Sequence, residues 1–305
     1  MSLAPSIAFF GSLTIDDLVF ADGSTRWGVP GGNAIYAAMG AVLWSGRASI
    51  VAPLGADYPT ELLDGRVDIA RCPPVSHTLR NWGLYEENGR RHFVSRSSSR
   101  DWRKFCPQPL DVRSRQQLAA HVAAMPRDLA LVLTKELRNF GTQTIALDLD
   151  DHDLASASSQ RDTIELIRNV DLFLPSLQDA LTIVSSTNPL DGLRQLRELV
   201  PTIRLIAIKC GAEGVYAHIL DSAQYIHIPA VQVSVVDTTG AGDAFCGGLL
   251  AGLVDHQDPV EALLYGVVSA SFCIEAFGFS GLADATEDQA KRRLSELRPL
   301  VQRKG

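Results

Sequence analysis

Long apolar runs are missing from this chain. None approaches the ~18–20 residues that a membrane-spanning helix requires, so no membrane partner is expected. Positive charge is also in short supply. Lys and Arg number 28 against 35 Asp and Glu, a formal net charge of −7, which disfavours nucleic acid and anionic membranes as partners because both repel an acidic surface. Cysteine is sparse: Cys72, Cys106, Cys210, Cys246 and Cys273 are scattered, and no two are spaced Cys-x-x-Cys. Neither a zinc site nor a disulfide framework follows, and the cysteines read as small core residues. The first residues carry no basic stretch ahead of an apolar core, the pattern of a secretory leader, so the expectation is a cytoplasmic location. Repeats, low-complexity tracts and an obvious linker are lacking too. What remains is a chain of 305 residues, 46% hydrophobic and 21% charged. That is the balance of a globular protein, at a length that suits one large α/β domain or a domain with a small appendage.

The apolar segments alternate in kind. Ile7 to Phe10 is a short apolar run ended by Gly11 and reads as a buried strand. Asp17 to Phe20 is a second strand candidate, Pro30-Gly31-Gly32-Asn33 a sharp turn, and Ala34 to Leu43 a buried Ala-rich helix starting on that turn. Ser49 to Leu54 is again strand-like. Residues 77–96 mix Trp82, Leu84, Tyr85, Phe93 and Val94 with polar residues around Asn88-Gly89, and Asn-Gly between two strand-like runs signals an exposed β-hairpin. From residue 118 onward strand and helix patterns alternate: strands at 118–124, 144–149, 171–174 and 204–208, two more between 215 and 228, and helices at 129–140, 193–200, 242–254, 260–277 and 287–301. This repeated βα alternation predicts a mostly parallel sheet covered by helices on both faces.

The chemistry concentrates in Asp237-Thr238-Thr239-Gly240-Ala241-Gly242-Asp243, between a β-rich run and a helix of small residues. A glycine turn that opens a helix makes an anion site, because the first-turn N–H groups point outward and the helix dipole adds positive charge. Gly240 and Gly242 permit backbone conformations and close approaches that a side chain would block. Gly247, Gly248 and Gly252 would let the helix lie close to the sheet. Asp243 then stands where an anion binds. A carboxylate there repels phosphate unless it has a task, such as accepting the proton of an attacking hydroxyl. A lone Asp-Gly turn is usually just a capped turn. Six fixed residues at ~7% usage each over roughly 300 starts, however, give on the order of 10⁻⁵ to 10⁻⁴ chance matches. Two competing phosphate motifs fail. Phe245 stands where a dinucleotide fingerprint needs glycine, and the Gly-Lys of a Walker loop does not occur.

This heptapeptide and its glycine-rich helix resemble the signature of the ribokinase-like (PfkB) carbohydrate kinases, and the resemblance extends over nearly the whole chain. Pro30-Gly31-Gly32 with its Ala-rich helix resembles the family's N-terminal double-glycine motif. Gly11-Ser12-Leu13-Thr14-Ile15-Asp16 resembles its first strand end, whose aspartate holds substrate hydroxyls. Leu54-Gly55-Ala56-Asp57 is similar to the Gly-x-Asp turn after a later strand, Lys209-Cys210-Gly211-Ala212-Glu213-Gly214 to the Gly-rich turn beside the nucleotide, and 77–96 falls where the family places its β-lid.

The resemblance implies a single ribokinase-like domain over 1–305, a three-layer α/β/α sandwich with a mostly parallel central sheet and a small β-lid formed by about 17–30 and 77–96. It implies an ATP-dependent phosphotransferase with an alcohol group as acceptor, acting on a hydroxyl of a small sugar or sugar-like molecule. Asp243 would be the general base, and the backbone of Gly240, Ala241 and Gly242 the anion hole. Asp16, Gly31, Gly32 and Asn33 would bind substrate, and Lys209, Gly211, Gly214 and Thr238 the nucleotide. ATP and magnesium are the implied cofactors, and the sequence leaves a monovalent cation open. The family's Asn-x-x-Glu is here Ser176-Leu177-Gln178-Asp179, so the shorter Asp179 replaces the glutamate that organises magnesium. Tyr36 stands where the double-glycine motif usually has asparagine four residues on, and Gly55-Ala56-Asp57 lacks an extra acid.

Other readings stay open at this point. Tyr36 and Trp82 could sandwich a base, which makes a nucleoside the second acceptor class. Arg80, Arg90, Arg91, Arg96 and Arg100 cluster near the lid, and one of them could meet a phosphate on the substrate. A non-catalytic sugar or nucleotide sensor could share the fold. Asn33 could cap the helix instead of meeting substrate, and His121 reads as structural. A two-stranded hairpin is marginal alone in water, so the lid packs either over the cleft or against the same lid of a second subunit in a homodimer, with Trp82, Leu84, Tyr85, Phe93 and Val94 as its buried apolar face.

Overall fold

The structure, a computed structural model, describes residues 7–63, 65–87, 91–114, 117–149, 157–256 and 258–304. Its centre is the strand Ile7–Phe10, all four residues of which are buried. Successive strand side chains point to opposite faces, so Ile7 and Phe9 enter one apolar core while Ala8 and Phe10 enter another. A strand buried on both sides needs helices on both sides. Asn33–Ser45, Ala241–His256 and Pro259–Cys273 cover one face, and Arg127–Asn139, Ala157–Arg168, Leu177–Val184 and Pro189–Leu199 the other. The result is the three-layer α/β/α sandwich expected. Among the described residues no helix is long and apolar enough to cross a membrane.

The main sheet has ten strands among the described residues, in the order Gln302–Lys304, Tyr225–Ile228, Val215–Ile219, Leu205–Lys209, Leu172–Phe173, Thr144–Leu147, Ala119–Val122, Ile7–Phe10, Ala48–Val51 and Val67–Asp68. From Leu205–Lys209 to Val67–Asp68 neighbouring strands are parallel. The first three are antiparallel. Several boundaries differ from the sequence reading. The final residues form the edge strand Gln302–Lys304 after the helix Glu287–Leu297, because Pro299 and the edge of Tyr225–Ile228 together favour a strand. The helix read as 260–277 stops at Cys273, ahead of Gly278 at φ 59°. Two short helices, Ala157–Arg168 and Leu177–Val184, were not anticipated.

Gly247, Gly248 and Gly252 do not face the sheet. They let the helix Ala241–His256 sink between two other helices. A Cβ on Gly247 would fall 1.8 Å from the Ala37 carbonyl oxygen, and one on Gly248 would fall 2.6 Å from that of Tyr265. The neighbouring helix reciprocates, since a Cβ on Gly40 would fall 2.3 Å from the Ala244 carbonyl oxygen.

A second, four-stranded sheet forms the small β-lid, in the order Thr25–Gly31, Thr14–Val19, Leu79–Tyr85 and Arg91–Ser95. The strand read from Asp17 begins at Thr14, and Thr25–Gly31, overlapping the 17–30 stretch expected in the lid, is a strand that runs through the turn read at Pro30. The Asn88-Gly89 turn and Arg90 lie outside the described residues. Thr14–Val19 runs parallel to Leu79–Tyr85, with Asp16 opposite Asn81 and Asp17 opposite Trp82. Alternation therefore divides the lid's aromatic and aliphatic residues, which do not share one buried face. Asn81 and Tyr85 point to the domain side, and Trp82 and Leu84 to the other. On that outer side Trp27, 62% exposed, packs edge-on against Trp82 with ring centroids 5.6 Å apart, and the Arg96 guanidinium lies 5.0 Å over the Trp82 ring.

The tight helix packing yields a first prediction. Gly247→Ala should destabilise the protein by about 1–3 kcal/mol, because the new methyl group meets backbone that cannot rotate away. Chemical denaturation would show a lower midpoint at unchanged slope.

Candidate active site

In a parallel sheet the carboxyl ends of neighbouring strands share one edge, and ligands bind there. At this edge the ends of Thr144–Leu147, Leu172–Phe173 and Leu205–Lys209 meet the start of the helix Ala241–His256. Between them lies a cavity of about 570 Å³. Its polar wall includes Asp148, Asp179, Lys209, Thr238 and Gly242. Gly211 and Gly214 form one rim, and Val231, Val233, Val267 and Ile274 an apolar wall. The cavity thus gathers the residues that sequence assigned to the nucleotide, together with Ala241, Gly242 and Asp179.

Lys209 is the positive charge of the cavity floor, with 13% of its side chain exposed. Its ammonium is hydrogen-bonded to the Asp148 carboxylate and lies 3.8 Å from the Cys246 sulfur. Burial opposes the charge, but Asp148, Cys246 and Asp243 together hold its pKa above the ordinary lysine value. His121, Asp148 and Cys246 offer three ligand atoms within 4.8 Å of one another, a donor set that could suit a metal. The lysine ammonium already bonds to one of the three and approaches a second, so the cation this group holds is Lys209 itself. His121 is fully buried, and neither ring nitrogen has a hydrogen-bond partner among the described residues. Burial, with the Lys209 charge beside it, lowers its pKa to about 3, so the ring is neutral and structural. Asp148 went unnoticed in the sequence beyond ending a strand in acids. Its signal is a carboxylate at the carboxyl end of a parallel strand.

Above Lys209 the chain turns into the helix. Gly240 has φ 75°, and a Cβ there would fall 2.2 Å from the Tyr36 ring, so only glycine fits. Tyr36 is accordingly buried beneath the turn and not open to a ligand. The Asp237 carboxylate holds the turn from inside, accepting from the Thr239 amide at 2.9 Å and the Thr239 hydroxyl at 2.8 Å. The Ala241 amide makes a long 3.3 Å bond to the Thr238 carbonyl, whereas helix geometry gives the Gly242 amide no acceptor within the helix. A Cβ on Gly242 would lie 3.3 Å from the Lys209 nitrogen, so the ammonium sits directly under this turn. Asp243 occupies the first turn of the helix, half-buried.

Asp179 caps the helix Leu177–Val184. One carboxylate oxygen accepts from the Ser176 hydroxyl at 2.5 Å and the Ser176 amide at 3.2 Å. The other oxygen is buried with no partner among the described residues. Burial first, then the nearby Asp148 charge, raises its pKa to about 6 against the lowering effect of Ser176 and Lys209. An orphaned carboxylate oxygen at the cavity wall is the kind of hard donor that magnesium takes, directly or through water.

A second cluster of candidate residues comes from the N-terminal part of the chain. Asp16 is buried, and its two oxygens accept from the Asn81 amide at 2.9 Å and the Thr14 hydroxyl at 3.1 Å. Burial raises its pKa to about 6, helped by the charges of Asp17 and Asp237 and opposed by those two hydrogen bonds. Gly31 lies against it, since a Cβ there would fall 2.9 Å from an Asp16 oxygen, and Gly32 packs on the Ser12–Thr14 backbone at φ 113°. Asn33 has both ends of its amide engaged, Oδ1 by the Ser12 amide at 2.8 Å and Nδ2 by the Ala124 carbonyl at 2.9 Å. It clamps the helix to two strand ends and makes no side-chain cap. Arg80 pairs with Asp57 at 3.0 Å and Arg96 with Asp17 at 2.8 Å. Trp82 faces away from Asp16, so the base sandwich with Tyr36 does not form. Sequence reasoning missed Asn81, Tyr85 and Asp237 as parts of the site.

A family model described as pfkB family carbohydrate kinase matches residues 5–285 of the chain. Among curated proteins, the chain is 24% identical to a cytidine kinase of Thermococcus kodakarensis over 277 residues, 89% of this chain and 97% of that protein. It is 30% identical to a ribokinase of Lactococcus lactis over 142 residues, 46% of this chain and 45% of that one. Among solved structures, the nucleoside kinase of Methanocaldococcus jannaschii superposes with a TM-score of 0.74 at 19% identity, covering 95% of this chain and 98% of that one. A fructokinase of Vibrio cholerae bound to fructose, ADP and calcium gives 0.75 at 18%, covering 95% and 99%. These structural likenesses show the fold.

The Asp16 environment generates a pH prediction. The carboxyl group titrates at 3.8 ordinarily and at about 6 in the folded protein, so the folded state binds its proton more tightly. Keeping the group charged above pH 6 costs on the order of 3 kcal/mol of stability, and that cost fades as pH falls to 4. Asp16→Asn should raise the melting temperature at pH 8, with the gain gone by pH 4. Scanning calorimetry across that range checks it.

Proposed function

This chain belongs to the pfkB family of carbohydrate kinases, and from that premise we propose that it transfers the γ-phosphoryl group of ATP to a hydroxyl of a small sugar or sugar-like molecule. The observation that carries this reading is the meeting of a helix N-terminus and a buried lysine at one cavity, with an acid, Asp243, in the first turn of that helix and near enough to Lys209 to help raise its pKa. The acceptor oxygen bonds to the γ-phosphorus, the bond to ADP breaks, and the proton of the hydroxyl passes to Asp243. Backbone amides of the 240–242 turn, backed by the Lys209 ammonium, stabilise the charge on the transferring group. Lys209, Gly211, Gly214 and Thr238 hold the nucleotide. Asp16, with Gly31 and Gly32 beside it, receives acceptor hydroxyls. Magnesium, held at Asp179, would neutralise charge on the phosphates.

A nucleoside is the second acceptor reading, and one observation favours it: the cytidine kinase match spans 97% of that protein, its acceptor side included. A base would need a slot other than Tyr36 and Trp82.

Asp243→Asn should keep ATP binding, measured by titration calorimetry, and lose turnover by about 10²–10⁴-fold. The test is run on sugars, polyols and nucleosides with ATP and magnesium. Near-normal turnover in the variant would remove the base. Binding of ligands without ADP release across the panel by the wild type would remove the kinase reading.

We also infer that the outer lid face meets its counterpart on a second copy. Trp27, Leu84 and Val94 are exposed there, and a cluster of aromatic and aliphatic side chains is the composition of an interface core. Light scattering should find a dimer at micromolar concentration and a monomer for the Trp27→Ala, Leu84→Ser variant. A monomeric wild type would overturn the assignment.

A further inference from the structure

Tyr85 ends the lid strand Leu79–Tyr85 and lies 152 residues before Asp237, yet the two touch. Its hydroxyl donates to Asp237 Oδ1 at 2.9 Å and lies 3.2 Å from Thr239 Oγ1. The same carboxylate oxygen accepts the Thr239 amide and hydroxyl, and Asp237 is buried. Bonds to a charged acceptor shielded from water are stronger and more directional than neutral ones. From the other side, the Ile274 carbonyl accepts the Val236 and Asp237 amides at 2.8 and 3.3 Å, and the Thr239 carbonyl accepts the Cys273 thiol at 3.3 Å. The turn that leads into Gly240 is therefore suspended between the end of the helix Pro259–Cys273 and the lid.

Apolar contacts guide the same approach. Phe20 of the lid packs against Tyr85 with centroids 5.0 Å apart and against Phe277 at 5.3 Å, and the Arg26 guanidinium lies 4.2 Å over Phe277. Four residues before Tyr85, on the same face of the same strand, Asn81 donates to Asp16. One short strand thus carries a partner of the acceptor carboxylate at one end and a bond to the phosphoryl turn at the other.

We propose that Tyr85 is a positioning residue for phosphoryl transfer, its hydroxyl setting the Asp237–Thr239 turn so that the 240–242 backbone takes its working geometry only when the lid is down on an acceptor. The proposal rests on the kinase reading given above. Its consequence is that the enzyme couples ATP cleavage to the presence of an acceptor and suppresses transfer to water. A hydroxyl that merely fastened the lid would contribute to stability and acceptor affinity alone.

The test is Tyr85→Phe, which keeps the ring against Phe20 and removes the hydroxyl. With a phosphorylated acceptor in hand, kcat should fall about tenfold or more, as expected for losing a bond to a buried carboxylate. ATP affinity should stay within about twofold, and ADP released should exceed acceptor phosphorylated, whereas the wild type releases one for one. Wild-type kcat and coupling in the variant would overturn the proposal, as would a change confined to melting temperature and acceptor KM. Hydrogen exchange gives a readout independent of turnover. Amides 237–240 should exchange faster in Tyr85→Phe than in the wild type, and equal exchange counts against the latch. If the wild type phosphorylates nothing in the panel, the kinase reading fails, while the exchange result still decides whether Tyr85 holds the turn.

Discussion

The start of the helix Ala241–His256 is fixed by how closely that helix lies against Asn33–Ser45. Two helices normally sit 8–10 Å apart, held off by side chains. Here Gly247 lies on the Ala37 carbonyl and Gly40 on that of Ala244, so backbone meets backbone and neither helix can slide without collision. Tyr36, one residue before Ala37, then fills the space under Gly240 and leaves no room for any other residue there. The Asn33 side chain anchors the same helix to Ser12 and Ala124. The position of the turn is thus set by packing that begins at the first strand of the sheet, and the Tyr85 hydroxyl bears on its finer setting.

Electrostatics adds a cost that packing has to cover. Asp16 and Asp179 both sit where burial lifts their pKa to about 6, and Lys209 is held charged in a nearly closed site by Asp148. Buried charges of this kind rarely raise stability. Their concentration, with Asp16, Asp17, Asp148, Asp179 and Asp237 as the buried carboxylates among the described residues, is the pattern of a site kept for chemistry. Lys209 lies beneath the turn that carries Asp243, and that acid adds to the charges that keep the ammonium protonated.

Much of this was readable in the sequence, and the boundary follows the range of the interactions. The heptapeptide 237–243 could be read because its glycines report backbone conformation and close approach, which are local properties. The place of Lys209 to Gly214 at a strand end follows from alternation alone, whereas its tie to a nucleotide rests on the family resemblance. Asn33 and Tyr36 stood open in the sequence because a polar or an aromatic residue after a double glycine can either face a ligand or pack. Only the fold shows the amide of one engaged and the ring of the other under Gly240. The lid's aromatic set was misassigned to one face because a strand register cannot be seen without its neighbour. Asp16 opposite Asn81 fixes it. The bonds Lys209 to Asp148 and Tyr85 to Asp237 join residues 61 and 152 positions apart, and no local pattern marks either partner.

The division of the chain bears on how such a protein changes substrate. The cavity at the sheet edge is lined by residues from 148 to 274, whereas Asp16 and its partners come from residues 14 to 81. The two halves meet at the turn from Asp237 to Gly240, through Tyr36 packed beneath it and Tyr85 bonded above it. Under the proposed function, substitutions in the lid or around Asp16 would alter which hydroxyl is presented without disturbing the backbone of the turn. Because catalysis needs the acceptor oxygen within near-attack distance of the phosphorus, a change of acceptor must preserve only the relation of the lid to that turn. Specificity and chemistry are separable in this architecture to the extent that Tyr36 and Tyr85 keep the turn in place.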